Sequence, residues 1–125
     1  MSGKRLSTIP IGPKPPTSLD PSLNISEQAS LTGTKLITLG SNTVIHPRCK
    51  LNSTNASITI GNNCIISERC RIGLQSEPEA VDSYHVVIEN GVVVETGAIV
   101  EALIVGEGSI IEVNSKIGRG AILGK

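Results

Sequence analysis

The sequence predicts an all-β chain wound as a single-stranded parallel β-helix. Three observations predict it. Branched aliphatic residues recur every six positions, small residues follow them four places on, and rings are almost absent. Of the 125 residues only Tyr84 is aromatic, with no phenylalanine and no tryptophan. A globular core of this size normally uses several rings, so the interior must be narrow and aliphatic. The length suits one domain.

Residues 1–22 carry five of the seven prolines, Pro10, Pro13, Pro15, Pro16 and Pro21, and little periodic apolar signal. This stretch reads as a flexible Pro-rich arm, with a docking peptide as its functional alternative. From residue 23 to 125 the repeat takes over. Aliphatics stand at Ile25, Leu31, Leu39, Ile45, Leu51, Ile60, Ile66, Ile72, Ile88, Val94, Val100, Val105, Ile111, Ile117 and Leu123, mostly six apart. With each of these as position i, position i+4 is small: Ala29, Thr43, Cys49, Cys64, Cys70, Ala98, Ser109, Ser115 and Ala121, with Val92 the largest. Position i+3 is often Gly or Asn, as at Asn42, Asn63, Gly91, Gly97, Gly108 and Asn114. These types reach positive φ at low cost and mark a tight turn. Each hexad is therefore a short strand and a turn, and three hexads close a triangle. The large and small inward residues fill a thin prism, each fully buried aliphatic contributing roughly 1.5–3 kcal/mol. A coil cannot bury its own faces, so stability comes from stacking.

A three-face register tests this internally. The first face centres on Ile25, Ile45, Ile66, Val94 and Ile111, the second on Leu31, Leu51, Ile72, Val100 and Ile117, and the third on Leu39, Ile60, Ile88, Val105 and Leu123. Every departure from six then falls between the second and third faces, where the gaps are 8, 9, 16, 5 and 6 residues. About five coils follow, with all insertions along one edge.

Formal net charge is zero, from 11 basic and 11 acidic residues, so no long-range field draws the chain to nucleic acid or an anionic membrane. Stacking platforms for single-stranded nucleic acid need rings that this chain lacks. No run is long enough to cross a membrane, and no apolar stretch follows Met1–Arg5 to suggest a signal peptide. Cys49, Cys64 and Cys70 are odd in number and fit neither a disulfide framework nor a zinc spacing. The Asn-x-Ser/Thr triplets at Asn24, Asn52 and Asn55 read as chance matches. A reducing, cytoplasmic setting is expected.

From Leu39 onward the chain resembles the hexapeptide-repeat family, whose fold is a left-handed parallel β-helix. The handedness comes from this resemblance, not from the spacing. Two runs carry a narrower likeness: Thr43-Val44-Ile45-His46-Pro47-Arg48-Cys49-Lys50, and Val94-Glu95-Thr96-Gly97-Ala98-Ile99 through Gly106 to Ile111-Glu112-Val113-Asn114-Ser115-Lys116-Ile117-Gly118. They resemble the β-helix subunits at the pointed end of dynactin, as does the shortened gap from Val100 to Val105. The resemblance covers roughly residues 25–125. It implies a non-catalytic structural subunit without cofactor, metal or small-molecule substrate. Its implied partners are a sister β-helix subunit, a pointed-end actin-related protein and a larger cysteine-rich subunit, on microtubule-associated cytoskeleton. Such a complex supports dynein-driven transport and cargo attachment. The family chains continue for more coils and a C-terminal helix, whereas this one stops at Lys125 partway round a turn, and the arm finds no counterpart. A truncated or unusually short form is therefore expected.

The family also contains enzymes. Zinc hydration chemistry needs three protein ligands and an open position, but His46 and His85 are the only histidines, and no Arg-Gly-Asp run or Gly-His pair occurs. An acyltransferase needs a general base. His85, on the insertion Leu74–Val87 with Glu77, Glu79 and Asp82, is the candidate, against a plain acidic surface loop. A homotrimeric acyltransferase is the alternative function. His46 is expected to face outward, and the three cysteines inward as small, unreactive hydrophobes.

Position i−1 should point outward. On the first face this stacks Val44, Ile65, Val93 and Ile110 into an apolar column, expected to meet a partner, a second copy or a returning terminal segment. The competing account is that β-branched residues simply form good strands. The second face carries Lys50, Arg71, Ile99 and Lys116, mostly basic, and the third Thr59, Val87, Ile104 and Ile122. Leu123, on the underside of the last coil, is the remaining interface candidate, since an uncapped coil leaves open strand edges.

Overall fold

The computed structural model describes residues 17–19, 21–74, 85–118 and 121–124. The chain is a left-handed parallel β-helix of about five coils, and the described residues form strands and turns with no helix. The first coil holds β1 (Thr17–Leu19), β2 (Asn24–Ile25) and β3 (Ser30–Thr32). The second holds β4 (Ile37–Leu39), β5 (Val44–Ile45) and β6 (Lys50–Asn52), and the third β7 (Ser57–Ile60), β8 (Ile65–Ile66) and β9 (Arg71–Ile72). Then come β10 (His85–Ile88), β11 (Val93–Val94) and β12 (Ile99–Val100), followed by β13 (Ile104–Val105), β14 (Ile110–Ile111) and β15 (Lys116–Ile117), with β16 (Ile122–Leu123) opening the next turn.

Strands three apart in sequence pair side by side, so the sheets run β1-β4-β7-β10-β13-β16, β2-β5-β8-β11-β14 and β3-β6-β9-β12-β15. All pairings are parallel and in register. Ile25 lies opposite Ile45, then Ile66, Val94 and Ile111; Leu31 begins the column Leu51, Ile72, Val100, Ile117. Leu39, Ile60, Ile88, Val105 and Leu123 make the third. These are the faces expected from the hexad spacing.

Two expectations need correction. Thr17–Leu19 falls inside the segment 1–22 assigned to the arm, yet it pairs with β4, Leu19 opposite Leu39. Leu19 occupies the i column of the third face one coil earlier and stands six before Ile25, in step with the repeat, so the hexad series begins inside the Pro-rich stretch. Residues 1–16 lie outside the described ones. Second, the core is wider on the third face than the hexads implied. Ile37, Ile58 and Val86, two residues before position i, are fully buried. The longer strands there, Ser57–Ile60 and His85–Ile88, alternate inward and outward over four residues, and the second, third and fourth coils each place two aliphatics inside on that face.

The interior is otherwise as expected. Ile45, Leu51, Ile60, Ile66, Ile72, Ile88, Val94 and Val100 have at most 1% of their surface exposed. Cys49, Cys64, Cys70 and Ala98 close the corners with none exposed. The polar members of the i+4 set have a further role. The Thr43 hydroxyl donates to Gly61 C=O at 2.6 Å, the Cys64 thiol to Glu89 C=O at 3.0 Å, and Ser109 Oγ to Gly124 C=O at 3.1 Å. At the next corner Cys49 Sγ donates to Ser67 C=O at 2.7 Å and Cys70 Sγ to Glu95 C=O at 3.0 Å. In every case the acceptor is the carbonyl just after position i, one coil further on. Short donors at i+4 therefore reach the turn carbonyls of the next coil, at Glu95 beside the Ala98 N–H that the same oxygen accepts.

The turns follow the i+3 expectation. Asn42, Asn63 and Asn114 have φ of 56°, 59° and 60°, and Gly91, Gly97 and Gly108 are likewise positive. Asn62 Oδ1 accepts from Ser41 N–H, and Asn90 Oδ1 from Asn62 N–H, each at 2.8 Å, tying one corner of successive coils together.

Candidate functional site

Burial of the i and i+4 columns leaves the prism filled by its own side chains, so any site on the described residues must lie outside it. Among those residues no three His, Cys, Asp or Glu side chains converge as a metal site would require. The three thiols are free and buried. Burial pushes the Cys64 thiol up, and the hydrogen bond with Cys49, then burial, pushes Cys70 up further; that same bond acts the opposite way on Cys49. Cys64 and Cys70 are thus held neutral, unlike reactive thiols, which sit in electropositive, partly exposed surroundings.

His46 is half-buried and donates its backbone N–H to Ile66 C=O. His85 does not sit on the insertion as expected. It opens β10, in register with Ser57, and its Nδ1 lies 2.5 Å from Ser57 Oγ. The pair is on the outer surface of a sheet. Glu77, Glu79 and Asp82, read together with it, lie outside the described residues.

The outer faces differ in chemistry. On the first, Val44, Ile65, Val93 and Ile110 stack in register as expected. Ile65 is 40% exposed and Ile110 is 64%, while Val44 and Val93 are half-buried. Val113 on the fifth coil and Ile122 on the turn after it are also exposed. Leu123 is half-buried, packed inward against the core rather than presented outward.

On the second face the outward positions form a small grid. Its rows are three coils: Gln28, Ser30 and Thr32; Arg48, Lys50 and Asn52; and Arg69 and Arg71, the last ending at the buried Gly73. Register pairs Ser30 with Lys50 and Thr32 with Asn52, and Lys50 with Arg71. At the corner Arg48 N–H donates to Gln28 C=O, and Arg69 N–H to Pro47 C=O. A trough of about 400 Å³ lies over Gln28, Ser30, Arg48, Lys50, Arg69 and Arg71, and an adjoining one of about 370 Å³ reaches Thr32 and Asn52. Rows are about 4.8 Å apart, and residues two apart along a row are at most about 7 Å apart. Four cations thus form a two-by-two block.

This block costs stability. Like charges directly opposite on adjacent strands repel, by up to about 1 kcal/mol at 4 Å in water. Arg48 and Arg69 also hold φ of 66° and 62°, in the left-handed region. That conformation costs an ordinary L-residue roughly 1–2 kcal/mol, and every other described residue with positive φ is Gly or Asn. The hexad pattern pointed to Lys50 and Arg71 as basic outward residues but missed Arg48 and Arg69. Both stand at i+3, where Arg carries no turn signal.

No family model matches the chain, and no curated protein is significantly similar to it.

Proposed function

We propose that the chain is a non-catalytic structural subunit of a multi-protein assembly, corresponding to subunit six of dynactin at the filament's pointed end. The observation that carries this reading is the outward apolar column on a solenoid whose interior is filled. Val44, Ile65, Val93 and Ile110 rise in one line, and contiguous exposed aliphatic surface on a folded domain marks a contact site. The runs from Thr43 to Lys50 and from Val94 to Gly118 support the narrower assignment. Its partners are then the sister β-helix subunit (dynactin subunit five), the pointed-end actin-related protein and the larger cysteine-rich subunit, in the cytoplasm on microtubule-associated cytoskeleton. The role is to hold cargo-attachment machinery for dynein.

Replacing Ile65 and Val93 together with lysine tests it. Both are outward, so the thermal melt should stay close to that of the parent chain. Recovery of the sister β-helix subunit and the actin-related protein on the tagged chain, read by immunoblot, should be lost. Undiminished recovery of both would sink the assignment. The Ser57–His85 contact is the observation favouring the second reading, a homotrimeric acyltransferase. A trimeric mass in solution, with acyl transfer lost on His85→Ala, would support that reading instead.

A further inference from the structure

We propose that the basic trough on the second face is a docking site for an extended, acidic segment of another protein. This stands apart from which assembly the chain belongs to. Arg48, Lys50, Arg69 and Arg71 are gathered on two adjacent coils, and among the described residues none of the four is paired with a carboxylate. The chain accepts like charges opposite each other at Lys50 and Arg71 and a left-handed backbone at Arg48 and Arg69. Asparagine at these two corners would remove the second of these costs and thin the positive charge around the first. Strain that a simpler residue would relieve, gathered around one surface, marks a place selected for something other than stability.

The geometry selects the ligand. An extended peptide lying along the sheet presents alternate side chains on one side, at the interval that separates Lys50 from Asn52 and, nearly, Arg48 from Lys50. Carboxylates at alternate positions would therefore fall over successive cations, and each arginine fork can take one through two hydrogen bonds. Ser30, Thr32, Asn52 and Gln28 rim the block with neutral hydrogen-bonding groups. The exposed Glu27 and Glu68 flank the corner, and Glu101 closes the third column one coil on, so the positive area is bounded to the size of a short segment. Nucleic acid fits less well, because the grid offers no ring for base stacking. A membrane surface fits less well too, because the grid holds no apolar side chain to insert.

The test is calorimetric titration of the full chain with a synthetic peptide alternating glutamate and threonine, beside a control with glutamine for glutamate. The glutamate peptide should bind and weaken as salt is raised, and the control should not bind. Arg48→Asn with Arg69→Asn installs the residue already used at Asn42, Asn63 and Asn114, so this variant should melt at the same temperature or higher while its affinity falls about tenfold or more. Arg71→Gln, outside the turns, should lose affinity without a change in melting. The proposal is overturned if the parent chain ignores the glutamate peptide or binds both peptides alike, or if these variants retain full affinity. Preferential binding to anionic vesicles or single-stranded RNA over the peptide overturns it as well.

Discussion

Ile65 and Ile66 are chemically identical neighbours on β8, and the same substitution at each should have very different effects. Ile66 is fully buried, with Ile45 and Val94 directly opposite on the flanking coils. Ile66→Ala removes three carbons from the interior. At about 0.8 kcal/mol per buried carbon the transfer cost is roughly 2.4 kcal/mol. A rigid triangular core refills poorly, and the cavity left behind brings the total to about 3–4 kcal/mol, inside the range for such truncations. Ile65 is 40% exposed and its side chain points away from the core, so Ile65→Ala should cost under about 1 kcal/mol, mostly lost β-propensity. For a domain of this size the difference corresponds to roughly 8–15 °C in melting temperature. Far-UV circular dichroism melts and urea titrations of the two single variants give both numbers. Because coils can open one at a time, the buried variant should also broaden the transition. Equal destabilisation by the two variants, or a larger effect at Ile65, would refute the inward–outward alternation on which the fold and the apolar column both depend.

Alkaline pH is the second lever. Burial raises the folded-state value of Cys64 above the ordinary thiol value of 9.0. Between that value and the raised one the folded chain holds a proton that the unfolded chain has lost, so this contribution is full below about pH 9 and declines above it, with a slope of up to about 1.4 kcal/mol per pH unit. Cys49 and Cys70 shift in opposite directions through their shared hydrogen bond and so act in opposite senses on stability. Cys64→Ser keeps a short donor for Glu89 and should flatten the slope in pH-dependent urea melts; an unchanged slope would assign it elsewhere. Glycines give the third prediction. Gly73 has φ of 123°, and a Cβ there would stand 2.2 Å from the Asn52 carbonyl oxygen, whereas one at Gly118 would meet nothing within 4 Å. Gly73→Ala should therefore cost about 2 kcal/mol or more, and Gly118→Ala close to nothing, as read by the same melts.

Much of this fold is legible in the chain because each sheet neighbour is also a sequence repeat. Once Ile45, Ile66 and Val94 are seen as equivalents, their register follows with no long-range guess. Legibility fails where the repeat is not the cause. Leu19 is a different case: it keeps the six-residue step to Ile25, but the prolines around it read as an arm. Ile37, Ile58 and Val86 are buried by a second alternation, of period two, overlaid on the hexad and visible in Ile37-Thr38-Leu39 and Ile58-Thr59-Ile60. The surface is less legible still. Lys50 and Arg71 could be placed outward by count, but Arg48 and Arg69 could not, because a strained residue runs against the propensities from which sequence is read.

The corner donors give the stack a polarity. Thr43, Cys49, Cys64, Cys70 and Ser109 all reach toward the following coil and none toward the preceding one. Each of these bonds closes a carbonyl on the next coil, so removing one short donor is felt on the coil that follows rather than on the donor's own.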